Sequence, residues 1–164
     1  MKKVVLADDN YIVSEGIKLN IDWNELNAEI VLIAKSGQEV LNYIIDNHVD
    51  LIITDIEMPN LNGISLSREA IKINPYIKII LISAYDKFEY AKQAVSIGVC
   101  DYIEKPIDYD FLYEKIKSSF EIIDREQRNL SIVKESRQLM ITKFFQELLY
   151  FSTDKTLGYF DKYI

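Results

Sequence analysis

The chain has 164 residues, 49% hydrophobic and 27% charged, a mix that supports a real core and excludes global disorder. Its length fits one ordinary domain plus an extension, or two very small domains. A net charge of −7 makes the chain by itself a poor ligand for nucleic acid, and no apolar stretch approaches the ~18 residues needed to span a bilayer.

The opening residues Met1-Lys2-Lys3-Val4-Val5-Leu6-Ala7 resemble a secretion signal only until Asp8 and Asp9 interrupt the apolar run. Residues 4–7 therefore read as a first buried strand, in a cytoplasmic protein. A helix over 11–21 opens after the capping-type residues Asp9 and Asn10. Residues 30–34 form a second strand and 38–47 a second helix; residues 51–54 are a short, continuously apolar third strand. After a Pro/Gly loop, a helix over 64–73 is stopped by Asn74-Pro75. The most apolar strand spans 77–82, and the next helix, 87–97, ends at Gly98. Tyr102 and Ile103 make the last strand, and a fifth helix begins near Asp108. The single Cys100 fits a reducing compartment and a small buried residue before that strand. Strands alternating with helices imply a parallel sheet covered on both faces, because parallel strands need crossover helices.

The pattern changes beyond residue 122. From Asp108 to about Tyr150 there is no Pro or Gly, and charges are dense. A seven-residue register places Ile116, Ile123, Leu130, Arg137, Phe144 and Phe151 at one core position. Leu112, Ser119, Glu126, Val133, Met140 and Glu147 fall at the other, so eight of the twelve are apolar: a helical stripe, though an imperfect coiled coil. Such a helix either packs on a neighbouring domain or dimerises. At roughly 60 Å it is too long to pack wholly on the first domain. From Thr153 to Ile164 the sequence reads as the start of a following region.

In an open parallel sheet, ligands bind at the carboxyl ends of the strands. Asp8 and Asp9 follow the first strand, Asp55 ends the third, Ser83 ends the fourth and Lys105 follows the fifth. Each alone has an ordinary explanation: a helix cap, a turn, a solvated lysine. Four coincidences at one sheet edge argue for a site. Clustered carboxylates repel, by about 4 kcal/mol per pair at 4 Å near a protein surface, and a hard divalent cation relieves that. Few protein ligands with room for water and phosphate oxygens favour Mg²⁺ over Ca²⁺. A carboxylate can then act as nucleophile toward a phosphoryl group, with Lys105 and Ser83 binding the transferred oxygens.

Leu6-Ala7-Asp8-Asp9-Asn10, Thr54-Asp55-Ile56-Glu57-Met58-Pro59 with Asn62-Gly63, Ser83-Ala84, and Asp101-Tyr102 with Lys105-Pro106 occur in order and at characteristic spacing. Over residues 1–122 the chain thereby resembles the response-regulator receiver domain of bacterial two-component systems. The resemblance implies a doubly wound, flavodoxin-like α/β fold with strand order 2-1-3-4-5. It implies Asp55 as phosphoacceptor, served by a sensor histidine kinase. It also implies Mg²⁺ held by Asp9 directly, Asp8 mostly through water, Asp55, and the Glu57 carbonyl. Lys105 would contact the phosphoryl group, with its bond to Pro106 cis. Ser83 and Tyr102 would move inward as switch residues, and Glu57 and Tyr85 would tune phosphoryl lifetime. No enzymatic activity is implied beyond self-phosphorylation and autodephosphorylation.

Ile21-Asp22-Trp23, the run from Ala84 to Ala91, and the stretch from Thr142 to Leu149 resemble receivers joined to AraC-type DNA-binding regions. No helix-turn-helix lies in these residues. The expectation is a receiver (1–122), a signalling helix (123–150) and the start of a truncated region (151–164), with homodimerisation and DNA binding through a missing domain. A natural receiver-only protein is the alternative. Two other functions compete: a degenerate receiver serving as a constitutive dimerisation scaffold, and a metal-dependent phosphohydrolase. The latter lacks a second acid/base carboxylate beside Asp55 and a specificity insert. His48 reads as a solvated surface residue.

Overall fold

The computed structural model describes residues 1–84 and 88–160, with only the backbone described for residue 88 and residues 148–160. Five strands alternate with five helices: β1 (Lys2–Ala7), α1 (Tyr11–Asn20), β2 (Ala28–Ala34), α2 (Gly37–Asp46), β3 (Leu51–Asp55), α3 (Gly63–Ile73), β4 (Lys78–Ser83), α4 (Phe88–Ile97), β5 (Asp101–Glu104) and α5 (Tyr109–Phe160). All strand pairs are parallel, in the order β2-β1-β3-β4-β5. This is the flavodoxin-like arrangement expected.

The two-residue period of the strands sorts the core into two layers. Val5, Ala7, Ile52, Ile79 and Leu81 pack with Val40, Ile44, Leu66, Ala70 and Ala94, which places α2, α3 and α4 on one face. Val4, Leu6, Ile53, Ile80, Ile82 and Ile103 pack with Ile17, Leu112, Ile116 and Phe120, which places α1 and α5 on the other. Every β3 residue is buried, as a central strand covered on both faces requires. Each fully buried Leu or Ile contributes about 1.5–3 kcal/mol relative to exposure.

Polar caps set the helix starts. Asn10 Oδ1 accepts the Ile12 amide at 3.1 Å and Asn62 Oδ1 accepts that of Ser65 at 2.8 Å. Ser36 Oγ accepts the Glu39 amide at 3.4 Å, and Glu39 Oε2 reaches back to accept the Lys35 amide at 3.1 Å, holding the chain ahead of α2. Asp108 Oδ1 accepts from the amides of Asp110 and Phe111, opening α5. Gly98, at φ +85°, ends α4 in the left-handed region.

The chain divides into two compact units, Met1–Ile123 and the residues from Asp124 onward. Within the first, Leu112, Ile116, Ser119 and Ile123 of α5 are buried at 0–4% exposure. In the second, α5 continues without a break to Phe160, so the composition change near Thr153 falls in helical backbone. Leu130, Val133, Met140 and Phe144 of that unit are exposed. No helix among the described residues is long and apolar enough to cross a membrane.

Candidate phosphoacceptor site

The sheet register brings the polar strand ends together. β3 ends at Asp55, paired with Ile82, and Ser83 pairs with Glu104, so Lys105 follows immediately beside the end of β4. The Lys105 amide donates to the Ser83 carbonyl at 2.7 Å, and the Lys105–Pro106 peptide is cis, as expected. On the other side of β3, the Asp8 amide donates to the Ala34 carbonyl and continues β1 beyond Ala7.

At this edge one ammonium joins two carboxylates. Lys105 Nζ lies 2.7 Å from Asp55 Oδ1 and 2.9 Å from Asp8 Oδ2. The two acidic side chains are nearly buried, at 7% and 4% exposure, while Lys105 keeps 22%. The remaining oxygens are oriented by backbone: Asp55 Oδ2 accepts the Glu57 amide at 2.8 Å, and Asp8 Oδ1 accepts that of Asn10 at 2.8 Å.

Burial is the largest influence on Asp55 and pushes its carboxyl above the usual aspartate range; Lys105 opposes this, and Asp8 adds to it. Burial would pull Lys105 down, but Asp55 and Asp8 together outweigh it and hold the ammonium above the ordinary lysine value. The asymmetry has a simple cause. Lys105 has two acidic partners, whereas Asp55 has one cation and a like-charged neighbour.

Asp9 is exposed beside this cluster, and the structure does not join it to the Lys105 pairs. Among the described residues, no three acidic, His or Cys side chains converge closely enough, as they stand, to hold a metal. The donor chemistry nonetheless suits a hard cation. Asp8 and Asp55 present carboxylate oxygens with lone pairs to spare, and among the described residues their mutual charge is offset by the partly exposed Lys105.

The other anticipated residues are placed as follows. Ser83 is buried at 1% exposure at the end of β4. Tyr102 is half-buried and packs against the α2/α3/α4 layer. Glu57 is exposed and accepts a long hydrogen bond, 3.4 Å, from the Tyr90 hydroxyl on α4. Tyr85 lies outside the described residues. His48 is 61% exposed, with Nε2 3.1 Å from Asp50 Oδ1. Cys100 is half-buried rather than fully so, and burial pushes its thiol up, away from reactivity.

Two supports of Asp55 escape sequence reasoning. Thr54 Oγ1, fully buried, donates to the Asp55 carbonyl at 2.9 Å. Gly63 packs directly on the Asp55–Ile56 backbone and donates its amide to the Ile56 carbonyl at 2.9 Å; a Cβ there would collide with the Asp55 carbonyl oxygen. Gly63 stands in the quoted motif, but its steric reason exists only once α3 is folded back under the acceptor loop.

With this geometry in place, similarity defines the class. Residues 4–117 match the family model for the response regulator receiver domain, and the chain belongs to that family. It is 33% identical over 135 residues to the transcriptional regulatory protein YesN of Bacillus subtilis, covering 82% of this chain and 36% of that protein. The chain therefore spans little more than a third of the length of that curated relative. The REC domain of the response regulator AraT from Geobacillus stearothermophilus superposes with TM-score 0.72 at 39% identity, covering 77% of this chain and 98% of that one. A two-component transcriptional regulator AraC from Clostridium phytofermentans superposes with TM-score 0.70 at 25% identity, covering 79% and 99%. Receiver domains are signalling modules rather than enzymes in the ordinary sense, which sets the phosphohydrolase reading aside.

Proposed function

We propose that this chain is a phosphorylation switch in which Asp55 accepts a phosphoryl group from a sensor histidine kinase and passes the signal to a transcriptional output. The observation that carries the proposal is Lys105, bonded to both Asp55 and Asp8 at the carboxyl edge of the sheet. An Asp55 oxygen attacks phosphorus as the phosphorus–nitrogen bond of the phosphohistidine breaks and the imidazole leaves. Lys105 is already within reach of the transferred oxygens, and the Glu57 amide holds the acceptor carboxylate in place. Ser83, buried at the neighbouring strand end, supplies a hydroxyl to the phosphoryl group, and Tyr102 follows it inward. Water returns the site to its starting state, with Glu57 and Tyr85 tuning the rate.

Asp8, Asp9 and Asp55, with the Glu57 carbonyl, would hold Mg²⁺, the ion that receivers generally bind at their acidic pocket. When bound, it neutralises charge developing on the phosphoryl group. Asp9 must turn toward Asp8 and Asp55 to join such a set.

Residues 1–122 are assigned as the receiver, 123–150 as the signalling helix and 151–164 as the lead into a following region. The similarity to YesN and to an AraC protein, both named as transcriptional regulators, supports a transcriptional output outside these residues. DNA binding by that output, a homodimeric active state and a cytoplasmic location complete the reading. A small-molecule phosphodonor with Mg²⁺ should add one phosphoryl group to the chain, and none to Asp55→Asn. Equal labelling of the variant would defeat the assignment.

A further inference from the structure

In the second unit, Leu130, Val133, Arg137, Met140, Phe144 and Glu147 follow one another at alternating spacings of three and four residues, so they share one stripe of the helix. All six are exposed, with Leu130 at 46%, Val133 at 65%, Met140 at 72% and Phe144 at 59%. The same seven-residue register holds Leu112, Ile116, Ser119 and Ile123 in the core of the first unit. From Leu130 to Glu147 the described residues of that register are exposed within their own unit. Exposed Ile141 and Phe145 flank the stripe on one side, and exposed Ile132 and Leu139 lie about a third of a turn away on the other. Ile132 and Leu139 are bracketed at helical spacing by Arg128, Glu135, Ser136, Thr142 and Lys143, and make no continuous apolar seam.

The stripe carries opposite charges at Arg137 and Glu147, placed symmetrically about the midpoint between Met140 and Phe144. We infer that this stripe pairs with the same stripe of a second copy of the chain, with the two helices antiparallel. In that register Arg137 meets the second copy's Glu147, and Met140 meets its Phe144, twice over by two-fold symmetry. A parallel pair would set Arg137 against Arg137 and Glu147 against Glu147 inside an apolar seam, which like-charge repulsion and desolvation disfavour. The stripe thus excludes one orientation while favouring the other. The inference uses no phosphoryl chemistry, so it stands or falls separately from the assignment of Asp55.

Sedimentation equilibrium on the whole chain should show a reversible dimer. Arg137→Glu should weaken it at least tenfold, and adding Glu147→Arg should restore it. Mixing wild type with the doubly swapped chain separates the orientations. Antiparallel pairing predicts homodimers only, whereas parallel pairing predicts preferred heterodimers. Spin labels on Ser131→Cys, in a Cys100→Ser background, lie on the face away from the seam and should be separated by more than roughly 33 Å for the antiparallel register, against about 20 Å for a parallel pair. A monomer at all concentrations, preferred heterodimers, the short label distance, or a dimer indifferent to Arg137→Glu would each overturn the inference.

Discussion

Replacing Lys105 by Met keeps most of the side-chain length and removes the charge between Asp8 and Asp55. At an effective dielectric near 20, each ion pair of this length is worth about 6 kcal/mol before desolvation is charged against it. Loss of one partner from a fully buried pair costs about 3–5 kcal/mol, because the remaining charge is left uncompensated. Lys105 is 22% exposed, so water screens part of the interaction, and the expected loss is about 2–3 kcal/mol at neutral pH. For a domain of this size that lowers Tm by roughly 10 °C. The pH dependence identifies the cause. Without its cation, the folded-state pKa of Asp55, already raised by burial, rises further above the unfolded value. A group raised in the fold contributes stability below its unfolded pKa and loses it as pH rises through the folded value. The deficit of Lys105→Met should therefore be largest near pH 8 and shrink toward pH 5. Urea denaturation of wild type, Lys105→Met, Asp55→Asn and the double variant, at both pH values, gives the full cycle. Asp55→Asn should recover a good part of the loss. A deficit equal at both pH values and untouched by Asp55→Asn would mean that Lys105 acts through packing, and the electrostatic account would fail.

Three further expectations follow from the same geometry. Asp55→Asn alone should raise Tm at neutral pH, because burial makes the ionised carboxylate costly despite Lys105; a lowered Tm would show that the pair more than offsets that burial. Gly63→Ala should cost about 1–3 kcal/mol and slow phosphorylation, since the new methyl group displaces the Asp55–Ile56 backbone; unchanged denaturation and labelling would refute the close packing. Asn62→Ala removes the cap of α3 and should cost about 1 kcal/mol by denaturation, with Asn62→Asp largely restoring it.

The fold was legible because strands and helices alternate with unambiguous periods, and the central strands are apolar without interruption. Boundaries set by pairing were harder to read. β2 begins at Ala28 rather than Ile30, because Lys2 and Lys3 of β1 supply partners for Ala28 and Glu29 that no apolar pattern announces. β1 is longer than its apolar run for the same reason. At the site, the convergence of Asp8, Asp55 and Lys105 could be read from their places at strand ends. The division of labour between neighbours could not. Asp8 is buried and paired while Asp9 is exposed, a difference fixed by which way each side chain leaves the end of β1. The link from Tyr90 to Glu57 spans 33 residues and depends on how α4 packs, so no local signal pointed to it.

The most direct test of the central claim is to locate the phosphoryl group itself. The chain would be treated with a small phosphodonor and Mg²⁺, the acyl phosphate trapped by hydride reduction, and the modified residue found by peptide mass spectrometry. The modification should fall on Asp55 alone and require Mg²⁺. Modification of Asp8 or Asp9 instead, or of no carboxylate at all, would contradict the account.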